Sequence, residues 1–350
     1  MNAPSLSFLV PVFNVQRYLD ACVESILPVV QPGDEIVLLD DGSTDDSGRM
    51  CESWQQRHPD VVKVVHQANQ GLSAARNAAL QAASKDYVYF LDSDDLLCAE
   101  SFTPVRAALS AHHPDILTCD ALIWREDVPG QPLERIRHSL PAGLAPSREA
   151  ALMATFKDDF LSSSSRVFDR NFLDTMGPAV FPPGKTYEDN ATIPRLVAAA
   201  SSVAYLAEPL FRYRIRQGSI TQTHSVQRCI DQATSFKGIL PLMAHGAHGV
   251  AAEAQANILA FKHLVRAVRN ASLIRPASRE HFECIVASGL ATLTLPPNVL
   301  EQALRAQGLS DLLSHAQGML HHRRRYLFAR TLSAHWKQWR EARKRRGTTA

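Results

Sequence analysis

A chain of 350 residues with 45% hydrophobic and 21% charged side chains can bury a sizeable core and is too apolar to be disordered, and its six cysteines, without a Cys-x-x-Cys spacing, support neither a zinc site nor a disulfide framework. No apolar run approaches the ~20 residues that span a bilayer, and the first five residues lack the basic region of a signal peptide, so a cytoplasmic setting is expected. The net charge of +2 hides an asymmetry, because residues 321–350 hold ten Lys or Arg against one acid, Glu341.

In chain order, residues 6–14 predict a strand broken near its end by Pro11, and residues 16–27 repeat Tyr18, Leu19, Cys22, Val23, Ile26 and Leu27 at helical spacing. Residues 35–39 predict a second buried strand that runs straight into Asp40-Asp41-Gly42-Ser43-Thr44-Asp45, a βα loop at a helix N-terminus. A third strand is expected at 61–66 and an Ala-rich helix from Ser73 to Ala83. Residues 87–91, Tyr-Val-Tyr-Phe-Leu, form the fourth strand and end in Asp92-Ser93-Asp94-Asp95. Such alternation predicts a doubly wound parallel sheet, in which Asn14, Asp40-Asp41 and Asp92 to Asp95 share the carboxyl edge. An oxygen-rich edge of this kind suits a divalent cation and, through it, a diphosphate. Its bland alternative is a solvated turn whose Asp residues cap the next helix.

Farther on, residues 115–120 and 121–124 read as strands, 128–146 as a Pro/Gly-rich loop and 150–160 as a helix. Glu188-Asp189 leads a helix at 191–200, where acidic side chains also complement the helix dipole. Strands at 203–206 and 209–214 close the domain, followed by Arg216-Gln217-Gly218-Ser219-Ile220. Beyond Ser225 the chain is helical and Ala-rich, with no catalytic constellation. In the tail, Phe328, Leu332, Trp336 and Trp339 fall within about 80° of helical arc, with much of the basic charge off that stripe. An interfacial helix on anionic lipid, packing on the protein body and a nucleic-acid contact all fit this pattern; the first is favoured because no base-reading module accompanies the charge.

Together, Val10-Pro11-Val12-Phe13-Asn14, Asp40-Asp41-Gly42-Ser43, Asn69-Gln70-Gly71-Leu72-Ser73-Ala74-Ala75-Arg76-Asn77, Asp92-Ser93-Asp94-Asp95, Tyr187-Glu188-Asp189 and Tyr213-Arg214-x-Arg216-x-Gly218-Ser219 resemble, over about residues 5–225, the family 2 inverting glycosyltransferases of the GT-A fold. The resemblance implies a nucleotide-sugar donor, with a UDP-sugar favoured, and Mn²⁺ or Mg²⁺ as cofactor. Pro11, Phe13 and Asp41 would receive the base, and Arg76, Asp92 and Ser93 would line the donor site. Asp94 and Asp92 would bind the metal, with His224 a third candidate ligand. Arg214 and Arg216 would hold the phosphates on a flexible lid, Asp189 would be the catalytic base, and Glu188 would support it. In place of the Trp-Asn-Lys triplet of many relatives, this chain has Ser162-Ser163-Ser164-Ser165, which leaves the acceptor pocket undefined.

The fold expected is therefore α/β, a GT-A-type doubly wound, mostly parallel sheet flanked by helices, with a C-terminal α-helical extension. The domains are placed at 1–222, 223–320 and a basic tail at 321–350. The activity implied is transfer to a saccharide or lipid-linked saccharide in surface polysaccharide synthesis, by a protein peripheral on the inner face of the membrane. A homo-oligomer is left open and no nucleic-acid partner is expected. The rival reading is a catalytically inactive sugar-nucleotide-binding or membrane scaffold. A nucleotidyltransferase or NAD enzyme is opposed by the lack of a Gly-rich loop after the first strand.

Overall fold

The computed structural model describes residues 4–126, 128, 133–216 and 224–347, with side chains through Arg340. The chain divides into two compact units, residues 1–217 and 218–350.

In the first unit, β1 (Leu6–Val12), β2 (Glu35–Asp40), β3 (Val62–His66) and β4 (Tyr87–Phe90) alternate with α1 (Leu19–Ile26), α2 (Ser47–Arg57) and α3 (Leu72–Ala82). These strands pair in parallel in the order β3-β2-β1-β4. Every residue of β1 and β4 is buried, as helices on both faces of a parallel sheet require. Pro11 does not break β1. It lies opposite Leu39 of β2, while the pairing with β4 stops at Leu9, so no neighbour needs the amide that proline lacks.

Beyond β4 the sheet is mixed. It continues through β5 (Leu96–Leu97), β6 (Ile116–Arg125), β7 (Glu134–Ile136), β8 (Gly143–Leu144), β9 (Arg166–Asp169) and β10 (Val203–Ile215). The path runs β4-β9-β6-β10-β5, with β9 antiparallel to both neighbours, β10 parallel to β6 and β5 antiparallel to β10. Helices α4 (Phe102–His112), α5 (Arg148–Asp158), α6 (Arg170–Thr175) and α7 (Glu188–Ala199) complete the unit. The two strands expected at 115–124 are one, β6, and those at 203–214 are one, β10. Register shifts around Pro209 absorb the residue that suggested a break. Strand β9, with four residues, is too short for periodicity to reveal.

The second unit is helical: α8 (Val226–Thr234), α9 (Leu240–Met243), α10 (Val250–Ala271), α11 (Arg279–Leu290), α12 (Pro297–Ala306), α13 (Ser310–Leu320) and α14 (Arg323–Gly347). Phe261, Leu264, Val265 and Val268 of α10 share a core with Phe282 and Ile285 of α11, Leu304 of α12, Met319 of α13 and Leu327 and Ala334 of α14. At Gly289 of α11 a Cβ would lie 2.5 Å from a Leu264 methyl, so bare backbone permits this helix crossing. The basic tail is thus one long helix with an inner face in this core. Among the described residues, no helix is long and apolar enough to cross a membrane.

Candidate active site

Parallel neighbours end on the same side, so β1, β2 and β4 deliver Asn14, Asp40-Asp41 and Asp92 to one edge of the sheet. Gly42 turns the chain after β2 with φ +70°. A Cβ there would meet the Asn69 amide nitrogen at 2.8 Å, so the position requires glycine. Asp41 is buried, and its carboxylate accepts hydrogen bonds from Gln67 Nε2 at 2.7 Å and from the N–H groups of Gln70 at 2.9 Å and Gly71 at 2.8 Å. A carboxylate accepts about four such bonds, so Asp41 fixes the loop that opens α3 and keeps room for one further donor on Oδ2. Asn14, at φ +53°, accepts from the Thr44 N–H at 2.8 Å and joins the ends of β1 and β2. Pro11 is buried, whereas Phe13 is 44% exposed and offers a ring face at this edge.

Helix α3 carries Arg76, which is only 1% exposed. Its Nη2 donates to Asp92 Oδ1 at 2.8 Å, and its Nη1 to Glu188 Oε1 at 2.8 Å and Asp189 Oδ1 at 3.2 Å. Where the resemblance implies a donor contact, the structure buries this guanidinium among carboxylates from two other segments. Burial alone would lower the Arg76 pKa, but Asp92, Asp189 and Glu188 together raise it, so the cation is permanent. One cation against three carboxylates leaves negative charge in excess. Burial, with the neighbouring Asp189 charge and against Arg76, pushes Glu188 up to about 7, and burial likewise raises Asp189. Asp189 stays partly exposed, and its Oδ2 accepts from the Ser163 N–H at 3.3 Å. Tyr187, just before the acidic pair, holds φ +61°, a left-handed conformation costly for an aromatic residue and typical of functional sites.

The end of β10 reaches the same acidic turn. Arg216 Nε donates to Asp94 Oδ2 at 2.8 Å, Arg214 Nε to the Asp94 carbonyl at 2.6 Å, and the Arg214 N–H to Asp95 Oδ1 at 2.8 Å. Arg214 lies over the rings of Tyr18 and Trp124, and Arg216 over Tyr18. Burial and the Asp92 charge raise Asp94 against Arg216, and burial raises Asp95, whose Oδ2 is buried with no hydrogen-bond partner among the described residues. Ser93, between Asp92 and Asp94, is buried.

This donor set fits a hard divalent cation. Crowded carboxylates, the orphaned oxygen of Asp95 and the excess negative charge all favour one, and Mg²⁺ or Mn²⁺ takes one or two carboxylates and draws the rest from substrate and water. Among the described residues, no group of three or more His, Cys, Asp or Glu could hold a metal by itself. His224 is exposed at the start of the second unit and joins no such group. The lid residues Gly218, Ser219 and Ile220 lie outside the described residues.

Sequence reasoning passed over Ser163, Trp124 and Glu126, whose carboxylate lies 3.3 Å from Arg214. The register that sets Trp124 beside Arg214 could be read only once β6 and β10 were known to be neighbours. Nothing in the sequence signals the Ser163 contact, because it is made by a backbone amide.

Residues 7–177 match the model for glycosyl transferase family 2. Glycosyltransferase GlyG of Streptococcus pneumoniae is 28% identical over 226 residues, 62% of this chain and 73% of that protein. Some other curated relatives are spanned over only about a third of their length. Among solved structures, S. aureus TarS 1–349 in complex with UDP-GlcNAc superposes with a TM-score of 0.67 at 18% identity, over 97% of this chain and 92% of that one. The mannosyltransferase PcManGT from Pyrobaculum calidifontis, in complex with GDP-Man and Mn²⁺, gives 0.54 at 16% identity over 96% and 88%. The sheet that carries the Arg76 cluster is thus of the GT-A fold, and residues 7–177 are similar to glycosyl transferase family 2.

Proposed function

We propose that the protein moves a sugar from a UDP-linked donor to a hydroxyl of a saccharide, free or lipid-linked, in surface polysaccharide synthesis, with inversion at the anomeric carbon. The observation that carries this reading is the Arg76 guanidinium, which ties Asp92 of the acidic turn to Glu188 and Asp189, the latter 113 positions away in the chain. The UDP-GlcNAc of TarS supports a uridine donor. The GDP-Man and Mn²⁺ of PcManGT support a nucleotide sugar with a divalent cation.

In this reading Phe13 stacks on the base, Asp41 accepts its N–H, and Pro11 backs them from beneath. Asp94, with Asp92, would hold Mn²⁺ or Mg²⁺, which when bound neutralises the diphosphate and eases its departure. Arg214 and Arg216 present planar donors to the departing phosphates. Asp189 takes the proton of the acceptor hydroxyl as that oxygen attacks. Its two oxygens are oriented by Arg76 and the Ser163 N–H; burial makes it a stronger base than a free carboxylate, while Arg76 keeps it ionised.

Replacing Asp189 with Asn should lower acceptor-dependent UDP release by at least ~10²-fold, the scale of general base catalysis, while UDP and Mn²⁺ binding measured by calorimetry stay unchanged. Turnover equal to that of the wild type would remove Asp189 from the mechanism. A scaffold that only binds the nucleotide would show no acceptor-dependent release in either protein.

A further inference from the structure

Helix α14 packs with one face and leaves another to solvent. Its inner face buries Leu327 and Ala334 in the core of the second unit. Polar contacts finish that seat: the Tyr326 hydroxyl lies 2.7 Å from His315 Nδ1, His335 Nε2 is 2.8 Å from the Ala277 carbonyl, and Gln338 donates to the Ile274 carbonyl at 2.9 Å. On the outer face, Phe328, Leu332, Trp336 and Trp339 are 60%, 53%, 56% and 56% exposed. With about 100° per residue, these four centre roughly 145° around the helix from Leu327 and Ala334. A row of large apolar side chains left more than half exposed opposite a satisfied inner face is surface that the packing of the unit leaves uncovered. Contiguous apolar surface of this kind marks a site of interaction.

Its surroundings identify the occupant. Arg324, Arg325 and Arg340 are exposed in or beside the stripe, Lys337 is exposed farther round the helix, and the Arg340 guanidinium lies 4.1 Å over the Trp336 ring. No acid occurs between residues 321 and 340. A second copy docking through this face would bring like charge onto like charge. Nucleic acid would meet the cations but leave Phe328 and Leu332 in water, because its exterior is phosphate. An anionic bilayer satisfies both: headgroups take the Arg and Lys, the acyl boundary takes Phe and Leu, and indoles partition to the interface between them.

We propose that the outer face of α14 lies on an anionic membrane surface, with Phe328, Leu332, Trp336 and Trp339 inserted at the headgroup boundary and the flanking cations on lipid phosphates. This anchoring is independent of the glycosyl-transfer reading and is measured without activity.

The test compares the full chain with a variant carrying Phe328→Ser, Leu332→Ser, Trp336→Ser and Trp339→Ser, all outward-facing and so compatible with folding, which circular dichroism verifies. Flotation with phosphatidylcholine vesicles, with and without phosphatidylglycerol, should show binding of the wild type only to the anionic vesicles. Added salt should weaken it, and the variant should bind at least ~10-fold less. A blue shift of tryptophan emission should accompany binding and be absent from the variant. Failure of the wild type to float with anionic vesicles, or equal flotation of the variant, would overturn the proposal. So would a wild type that is dimeric by light scattering and a variant that is monomeric, which would assign the face to a second copy.

Discussion

Taking the charge from Arg76 would leave Asp92, Glu188 and Asp189 without the cation that ties them together. Breaking a buried ion cluster by removing one partner costs about 3–5 kcal/mol, because the remaining charges stay desolvated. Arg76→Gln is therefore expected to lower the stability of the first unit by that amount in urea unfolding. Arg76→Lys should recover only part of it, since an ammonium is a point charge and cannot fork between Asp92 on one side and Glu188 with Asp189 on the other. Equal stability of the wild type and Arg76→Gln would mean that the cluster is not held by the ion. At this scale the sequence was informative about residue types and less so about roles. Asp92, Asp94 and Arg216 could be singled out because acid after an apolar strand, or paired Arg after another, is unusual, whereas Asp189 was singled out by the family resemblance. Arg76 was read as a donor contact because its ion pairs depend on the first turn of α7 reaching it, a contact that no local pattern encodes.

At the scale of elements, the packing of α14 on α13 depends on a histidine kept neutral. Burial, and then the nearby Arg330 charge, depress His315 to about 4 from an ordinary value of 6.5. Its ring accepts neighbours only in that form, with the Tyr326 hydroxyl at 2.7 Å and an Arg330 Nη2 at 3.4 Å. Between pH 6.5 and about 4 the unfolded chain binds a proton that the folded chain refuses, so stability present above pH 6.5 is lost as pH falls. Solvent screening limits the loss to on the order of 1 kcal/mol. Urea unfolding across that range should show the decline, and His315→Gln should flatten it; an unchanged slope in the variant would assign the acid sensitivity elsewhere. The parallel half of the sheet was legible because its strands are mostly apolar runs bounded by turn residues. The mixed half was not. Pro209 imitates a strand break that a bulge absorbs, and β7, β8 and β9 have two to four residues each, below the length at which periodicity distinguishes anything. The stripe on α14 could be read as amphipathic, yet the face that folds inward is the less apolar one, with Leu327 and Ala334 among polar neighbours. Sequence periodicity identified the outward face instead.

For the whole molecule, one unit holds an anionic cluster built around a buried arginine, and the other presents a cationic, aromatic helix face. The match of residues 7–177 to glycosyl transferase family 2 supports a transferase role for the first, and the structural neighbours show its fold. The acceptor hydroxyl is proposed to displace the nucleotide diphosphate in one step, with Asp189 as base. A single displacement inverts the anomeric centre, whereas a route through an enzyme-bound sugar would retain it. The direct measurement is the anomeric configuration of the product, read by proton NMR after screening UDP-sugars and saccharide acceptors with Mn²⁺. The result expected is a new glycosidic bond of configuration opposite to that of the donor, whereas a product that keeps the donor configuration would contradict the account.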